Sequence, residues 1–352
     1  MEDGIFCEDI LVDILSRFPK KTLSRFKCVS KGWYALISYR VLPKTTDVGF
    51  LCQCISRFDN TIQTTFFRVD KEGSAFLNHS LGFSSEKKCL ILDSRNGLLL
   101  LKKGWLERLY VYNPTTKHTL QLPHSRFGML TAHASLASNG KNYKVIRFFY
   151  NGRIDSFDME IYSSQTCQWK EIELEIPRFS YIYNVPHAHS VSLKGAIHWI
   201  WGNYILIYHL EDDYCKLIKL PTHKTYRYTY KMCIWDSEGF LHYCECDEHG
   251  INIWVLHMED RNYNRDQHIF EWQLKHSAIL MAPTLRKMFM GHSKFFSPRA
   301  FNDDFGIVYL MYKGSILLYN LATGMLKEVC AYPFEEPILD IYPFSYSLVE
   351  SP

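Results

Sequence analysis

The sequence predicts a mainly β fold, with a short N-terminal helical segment (residues 1–42) followed by a β-propeller of about six four-stranded blades (residues 46–350). Three observations carry this. Apolar residues recur at helical spacing only as far as about residue 40. Beyond Pro43, short runs rich in Val, Ile, Tyr and Phe alternate apolar with polar residues and are broken by Gly, Asn, Asp and Pro. Within that region one aromatic, turn and aliphatic phrase returns at a nearly constant interval.

In the helical segment Leu11, Ile14, Leu15 and Phe18 fall at i, i+3, i+4 and i+7, on one face of a helix. Pro19 is expected to stop it, because proline has no N–H to donate and restricts the residue before it. Thr22 is the expected N-cap of a second helix, along which Leu23, Phe26, Trp33 and Ile37 lie close to one stripe. Together with Val29 and Leu36 this is more apolar surface than a two-helix unit can bury alone, so some of it must meet a partner or brace the β region. Arg17, Lys20, Lys21, Arg25, Lys27 and Lys31 lie off the stripe, with Glu8, Asp9 and Asp13 nearby. They read as the solvated side, suited to steering toward an acidic partner, rather than as a nucleic-acid arm.

The β region repeats. "VYNPTTKHTLQLP" (111–123), "IYSSQTCQWKEI" (161–172), "IYHLEDDYCKLIKLP" (207–221) and "LYNLATGMLKEV" (318–329) align on Tyr112, Tyr162, Tyr208 and Tyr319. Ten residues after each comes an aliphatic, namely Leu122, Ile172, Ile218 and Val329, so each unit is a hairpin. Phe66 and Trp254 extend the series at an interval of about 46 to 50 residues, and the gap of about 65 from Trp254 to Tyr319 implies an insertion. A lone blade exposes two edges and both faces, and a ring of blades covers the faces. Trp105, Trp169, Trp199 and Trp254 are the rings expected to fill the wedges between sheets.

Composition narrows the function classes. With 47% hydrophobic and 22% charged residues the chain is ordinary for a globular protein, and a net charge of +3 is too mild to demand a nucleic acid. Its longest uncharged stretch, 195–210, falls short of the roughly 20 apolar residues a membrane helix needs. The start, Met1-Glu2-Asp3-Gly4, lacks signal-peptide character. Eleven scattered cysteines read as free thiols in a reducing compartment, so a cytoplasmic or nuclear location is expected.

Chemistry-bearing motifs are sparse. No phosphate-binding glycine loop, H-E-x-x-H or G-x-S-x-G is present, and no cofactor is expected. His242, Cys244, Cys246 and His249 in "HYCECDEH" are the best metal candidates, but the paired C-x-x-C of structural zinc sites is missing. They and the pair Cys52 and Cys54 read as buried core, with no metal. "HKTYRYTYK" (223–231) reads as a half-buried strand or an aromatic-basic surface, and "PRFSYIYNVPH" (177–187) as an irregular connection between blades. Tyr181, Tyr183, Tyr226, Arg227 and Tyr228 are therefore the candidates for holding a protein partner.

Residues 8–38, "EDILVDILSRFPKKTLSRFKCVSKGWYALIS", resemble the F-box of plant F-box proteins. "DSRNGLLLL" (93–101), "YVYNPTTK" (110–117), "YKVIRFF" (143–149), "EIYSSQTCQWKEI" (160–172), "SLKGAIHWI" (192–200) and "INIWVLHMED" (251–260) resemble, in order, phrases of the F-box-associated, kelch-like domain of that family. The resemblance implies a substrate-recognition subunit of an SCF-type cullin–RING ubiquitin ligase. Leu11, Ile14, Leu15, Phe18, Leu23, Phe26, Val29, Trp33 and Leu36 would then bind a Skp-type adaptor, and through it the cullin and RING protein. The propeller rim would bind a target protein, and the chain would catalyse nothing. Phe6-Cys7 stands where the family usually has Leu-Pro, so one φ-fixing proline is missing and a weaker adaptor contact is expected. The alternative is a ligase-independent interaction scaffold. An enzyme with its site in the central channel would need His, Asp and Glu side chains converging there.

Overall fold

The computed structural model describes residues 8–16, 18, 20–26, 28–37, 41, 48–56, 58–59, 61–69, 75–78, 89–104, 108–125, 131–138, 142–150, 157–172, 190–211, 213–222, 231–247, 250–259, 269–280, 296–302, 306–312, 315–329 and 338–345. The N-terminal segment contains α1 (Glu8–Ser16), α2 (Lys20–Phe26) and α3 (Lys31–Leu36). The single second helix expected from Thr22 onward is thus divided in two. Ser30 is the reason: with an extended backbone (φ −160°, ψ 164°) it caps α3, its Oγ accepting the Trp33 N–H at 3.1 Å. Thr22 lies inside α2 instead. Pro19 is outside the described residues, and α1 closes with a Phe18 N–H bond to the Leu15 carbonyl at 3.0 Å.

The strands follow in groups of four. β1 (Val48–Ile55), β2 (Ile62–Val69) and β3 (Ala75–Asn78) start the first sheet. β4 (Cys89–Arg95), β5 (Leu98–Lys103), β6 (Arg108–Asn113) and β7 (His118–Gln121) form the second blade, and β8 (Thr131–Ser138), β9 (Tyr143–Tyr150), β10 (Phe157–Ser163) and β11 (Gln168–Ile172) the third. β12 (Ser190–Leu193), β13 (Ala196–Trp201), β14 (Tyr204–His209) and β15 (Tyr214–Lys219) make the fourth, and β16 (Met232–Ser237), β17 (Phe240–Cys246), β18 (Ile251–Glu259) and β19 (Ile269–Ala278) the fifth. β20 (Ser297–Asn302), β21 (Ile307–Tyr312), β22 (Ser315–Asn320) and β23 (Leu326–Val329) make the sixth. The last strand, β24 (Ile338–Ser345), returns to pair antiparallel with β1, so the first blade has the order β24, β1, β2, β3. The ring of six blades is closed by strands from opposite ends of the chain.

Phe66, Tyr112, Tyr162, Tyr208, Trp254 and Tyr319 all fall on the third strand of their blade. The hairpin after each tyrosine is built the same way. Lys117, Cys167, Asp213 and Gly324, each five residues beyond its tyrosine, adopt positive φ (60°, 56°, 52° and 68°), the left-handed residue such a loop needs to match the strand twist. Asn113 Oδ1 accepts the N–H groups of Thr115 and Thr116, and Asn320 Oδ1 those of Ala322 and Thr323. The first and second strands meet in two-residue turns, Asn96-Gly97, Lys194-Gly195 and Glu238-Gly239, with positive φ at both positions. The long gap after Trp254 is absorbed by the ten-residue β19 and by residues 260–268 and 281–295, which are not described.

Six apolar clusters of buried residues match the six blade interfaces. Trp199 is fully buried between the third and fourth blades, against Phe148 at 5.2 Å. Trp254 packs between the fourth and fifth, and Trp169 between the second and third, where its indole N–H donates to the Pro123 carbonyl at 2.8 Å. Trp105 lies outside the described residues.

Polar bonds near the axis add to these wedges. Asp93 Oδ2 accepts from the Leu136 N–H at 2.8 Å and from Ser190 Oγ at 3.0 Å, joining the first strands of three blades. Arg95 donates to the Ser190 carbonyl as well. Gln53 behaves like a strand residue of the next blade, accepting from the Ile91 N–H (2.9 Å) and donating to the Cys89 carbonyl (3.2 Å). Four first strands carry a bulge, at Leu92, Ala132, Arg299 and Leu339. In two of them the next residue is a buried aspartate, Asp93 or Asp340, which accepts the following N–H at 2.8 Å.

Asp93→Ala strands two buried donors and a part-buried third and should lower stability by about 1–3 kcal/mol, read as a shift in the urea midpoint. His198 is buried beside the Val191 carbonyl, and burial pulls its pKa from 6.5 down to about 4. The unfolded chain therefore binds this proton at higher pH than the folded one, and stability falls as pH drops from about 6.5 to about 4. His198→Gln should flatten that part of the stability profile, as measured by denaturation at a series of pH values.

Candidate functional site

The three helices have a core of their own, made of Val12, Leu15, Leu23, Leu36, Ile37 and Val41. None of these residues belongs to a blade cluster among the described residues. Helices of nine, seven and six residues cannot enclose every apolar side chain they carry. Ile10 (54% exposed), Ile14 (44%), Phe18 (41%), Val29 (61%) and Tyr34 (36%) are left facing solvent.

The nine sequence-predicted residues therefore divide into three sets. Leu15, Leu23 and Leu36 point into the helical core and are buried there. Leu11, Phe26 and Trp33 are half-buried at its margin. Ile14, Phe18 and Val29 are exposed. Aromatic contacts bridge the sets, since Phe18 meets Phe26 edge-on at 5.5 Å and Phe26 meets Trp33 edge-on at 5.8 Å. Phe18, Phe26 and Trp33 thus form one aromatic row at the margin of the leucine core. Ile10 and Tyr34 are not among the sequence-predicted residues. Ile10 carried a signal, its i+4 relation to Ile14, which shows that the apolar arc of α1 is too wide for one buried stripe.

The other predicted positions come out as follows. Tyr181, Tyr183, Tyr226, Arg227, Tyr228 and His249, with Phe6-Cys7, lie outside the described residues. In chain order the first five belong to the connections β11 to β12 and β15 to β16, between one blade and the next. His242, Cys244 and Cys246 are buried on β17. His242 stacks on Trp235 at 5.6 Å, and Cys244 pairs across the strands with Cys233, burial holding its thiol pKa well above the ordinary value. Cys52 and Cys54, their sulfurs 3.9 Å apart, are buried between the sixth and first blades. Among the described residues no group of three His, Cys, Asp or Glu side chains is placed to hold a metal ion, and no helix is long and apolar enough to cross a membrane.

Comparison with known families matches residues 5–45 to the F-box domain, and residues 67–328 to the β-propeller described as F-box protein At3g26010-like. F-box protein At5g07610 of Arabidopsis thaliana is 25% identical over 369 residues, spanning 92% of this chain and 85% of that protein. F-box protein At5g03970 of Arabidopsis thaliana is 24% identical, over 91% of this chain and 82% of that protein. The putative F-box/kelch-repeat protein At4g22430 of Arabidopsis thaliana is 26% identical, over 67% and 62%.

Exposed and buried apolar residues of the helical unit should respond oppositely to charge. Ile14→Asp should leave stability within about 0.5 kcal/mol of the wild type, and Phe18→Asp should cost about 1 kcal/mol through the lost Phe26 contact. Leu15→Asp buries a carboxylate and should unfold the helical unit, seen as lost helical signal in circular dichroism.

Proposed function

The chain belongs to the F-box proteins that carry an At3g26010-like β-propeller, and from that premise we propose that it is the substrate-recognition subunit of an SCF-type cullin–RING ubiquitin ligase. An F-box domain implies binding of a Skp-type adaptor in general. The observation that carries the reading to particular residues is the uncovered apolar surface of Ile10, Ile14, Phe18, Val29 and Tyr34, which lies within the residues matched as F-box.

The energetics favour docking. Fully burying an exposed apolar side chain of this size contributes roughly 1.5–3 kcal/mol, and with about half of each still uncovered, five give on the order of 5 kcal/mol before the costs of association. Arg25, exposed at the end of α2, adds charge suited to an acidic adaptor. The propeller supplies the second half of the function. Its blades are locked to one another by apolar wedges and axial hydrogen bonds, a rigid platform on which a target can be held.

No covalent step is assigned to this chain. Its contribution is proximity, holding target lysines near the activated ubiquitin thioester carried elsewhere in the complex. Buried thiols such as Cys52, Cys54 and Cys244, none of them in a disulfide, suit a reducing compartment, in keeping with the cytoplasm or nucleus.

A pull-down of the intact chain with a Skp-type adaptor tests this reading. The wild type should bind, and Ile14→Asp with Phe18→Asp should weaken binding at least about a hundredfold, equivalent to about 3 kcal/mol. A folded wild-type chain that fails to bind overturns it. Target abundance that does not respond to cullin inhibition would favour the scaffold alternative.

A further inference from the structure

β19 is the outer strand of the fifth blade, and among the described strands it pairs with β18 alone. The outer strands of the other blades, β3, β7, β11, β15 and β23, have four to six residues, whereas β19 has ten. It therefore offers the longest row of backbone groups turned away from the ring. Its side chains are uncovered as well, since Glu271, Gln273, Leu274 and Lys275 are all exposed, Leu274 by 52%. Backbone N–H and C=O groups along such an edge are matched by another extended strand, and the side chains decide which strand fits.

The side chains of β19 fit their own copy. Phe270 and Trp272 pack toward the fourth blade, and Leu274, opposite Trp254, shares that side of the sheet. Glu271 and Gln273 alternate onto the other side. Lys275 lies there too. It is the extra residue of a bulge, and its Nζ is 3.4 Å from Nε2 of His242, which stacks on Trp235 in the wedge between the fifth and sixth blades. An antiparallel pairing of β19 with a second β19, centred on Gln273, sets each Glu271 opposite the other copy's Lys275. It also sets Gln273 beside its own copy, amide donor to amide acceptor in both directions. On the opposite side of the sheet each Trp272 meets the other copy's Leu274. Among the outer strands described, β19 alone carries an acidic and a basic residue on one side.

We propose that this chain forms a two-fold dimer through β19, the two fifth blades joining edge to edge into one eight-stranded sheet. Charge complementarity identifies the occupant. A lysine on an edge strand keeps other strands away, because pairing would cover its charge, and a second copy is the strand that brings a carboxylate to it. Glu271 has no ion pair among the described residues. Lys275 meets the exposed Glu238 of its own chain at 3.5 Å, which leaves ammonium donors for the copy's Glu271. Two-fold symmetry makes every contact twice, so one complementary pair of charges secures both ends of the seam.

Sedimentation of the intact chain over a range of concentrations, in wild type and charge variants, is the test. The wild type should show a monomer–dimer equilibrium. Glu271→Lys sets lysine against Lys275 at both ends of the seam, and Lys275→Glu sets carboxylate against Glu271, so each should weaken dimerisation at least about tenfold. Both side chains are exposed, so both variants should stay folded, as checked by circular dichroism. Mixed together, the two variants should recover a dimer, because each chain then meets opposite charges on the other. A chain carrying both changes should dimerise with itself for the same reason. A wild-type chain that stays monomeric overturns the proposal. So does a dimer that ignores the single charge reversals, or a mixture that stays monomeric.

Discussion

Closure of the ring by β24 and β1 is the constraint on which the rest of the structure depends. A four-stranded sheet with two apolar faces is stable only when both faces are covered, and each blade here is covered by its neighbours. Without the pairing of Val48–Cys54 with Ile338–Ser345, the first blade would lose its inner strand. The sixth and second blades would then each expose a wedge, the one lined by Phe50 and Tyr309 and the other by Leu51, Phe66 and Tyr342. Tyr342 shows how tightly the last strand is held, since its hydroxyl donates to the Ile91 carbonyl of the next blade at 2.6 Å.

The axial hydrogen bonds bear on the channel. Asp93, Ser190 and Arg95 are occupied in joining blades rather than free to act on a substrate. Two of the blades they join are not neighbours, so the bonds reach across part of the channel. These first strands thus serve rigidity, which a scaffold that holds one partner in a fixed relation to another requires. The helical unit follows the opposite logic. It is too small to enclose its own apolar side chains, and part of them stays exposed.

Much of this was legible in the sequence because the repeat was carried by bulky residues at fixed offsets. Tyr112, Tyr162, Tyr208 and Tyr319 announce a strand, and the aliphatic ten residues on announces its return, since turn chemistry fixes the length of the hairpin between them. The closure strand was not legible, because "ILDIYPFS" at one end of the chain and "VGFLCQCI" at the other complement each other only in three dimensions. The helical face was half legible. Spacing identified which residues are apolar, but whether Leu15 or Ile14 turns inward depends on where α2 and α3 cross α1, and the break at Ser30 sets that crossing.

The central claim, that adaptor and target meet separate and internally rigid parts of this chain, is tested most directly by amide hydrogen exchange on the intact protein with and without a Skp-type adaptor. The account predicts slowed exchange confined to α1, α2 and α3, with the strands of all six blades unchanged. Slowed exchange in β24, β1 or the axial strands, or none in the helices, would contradict it.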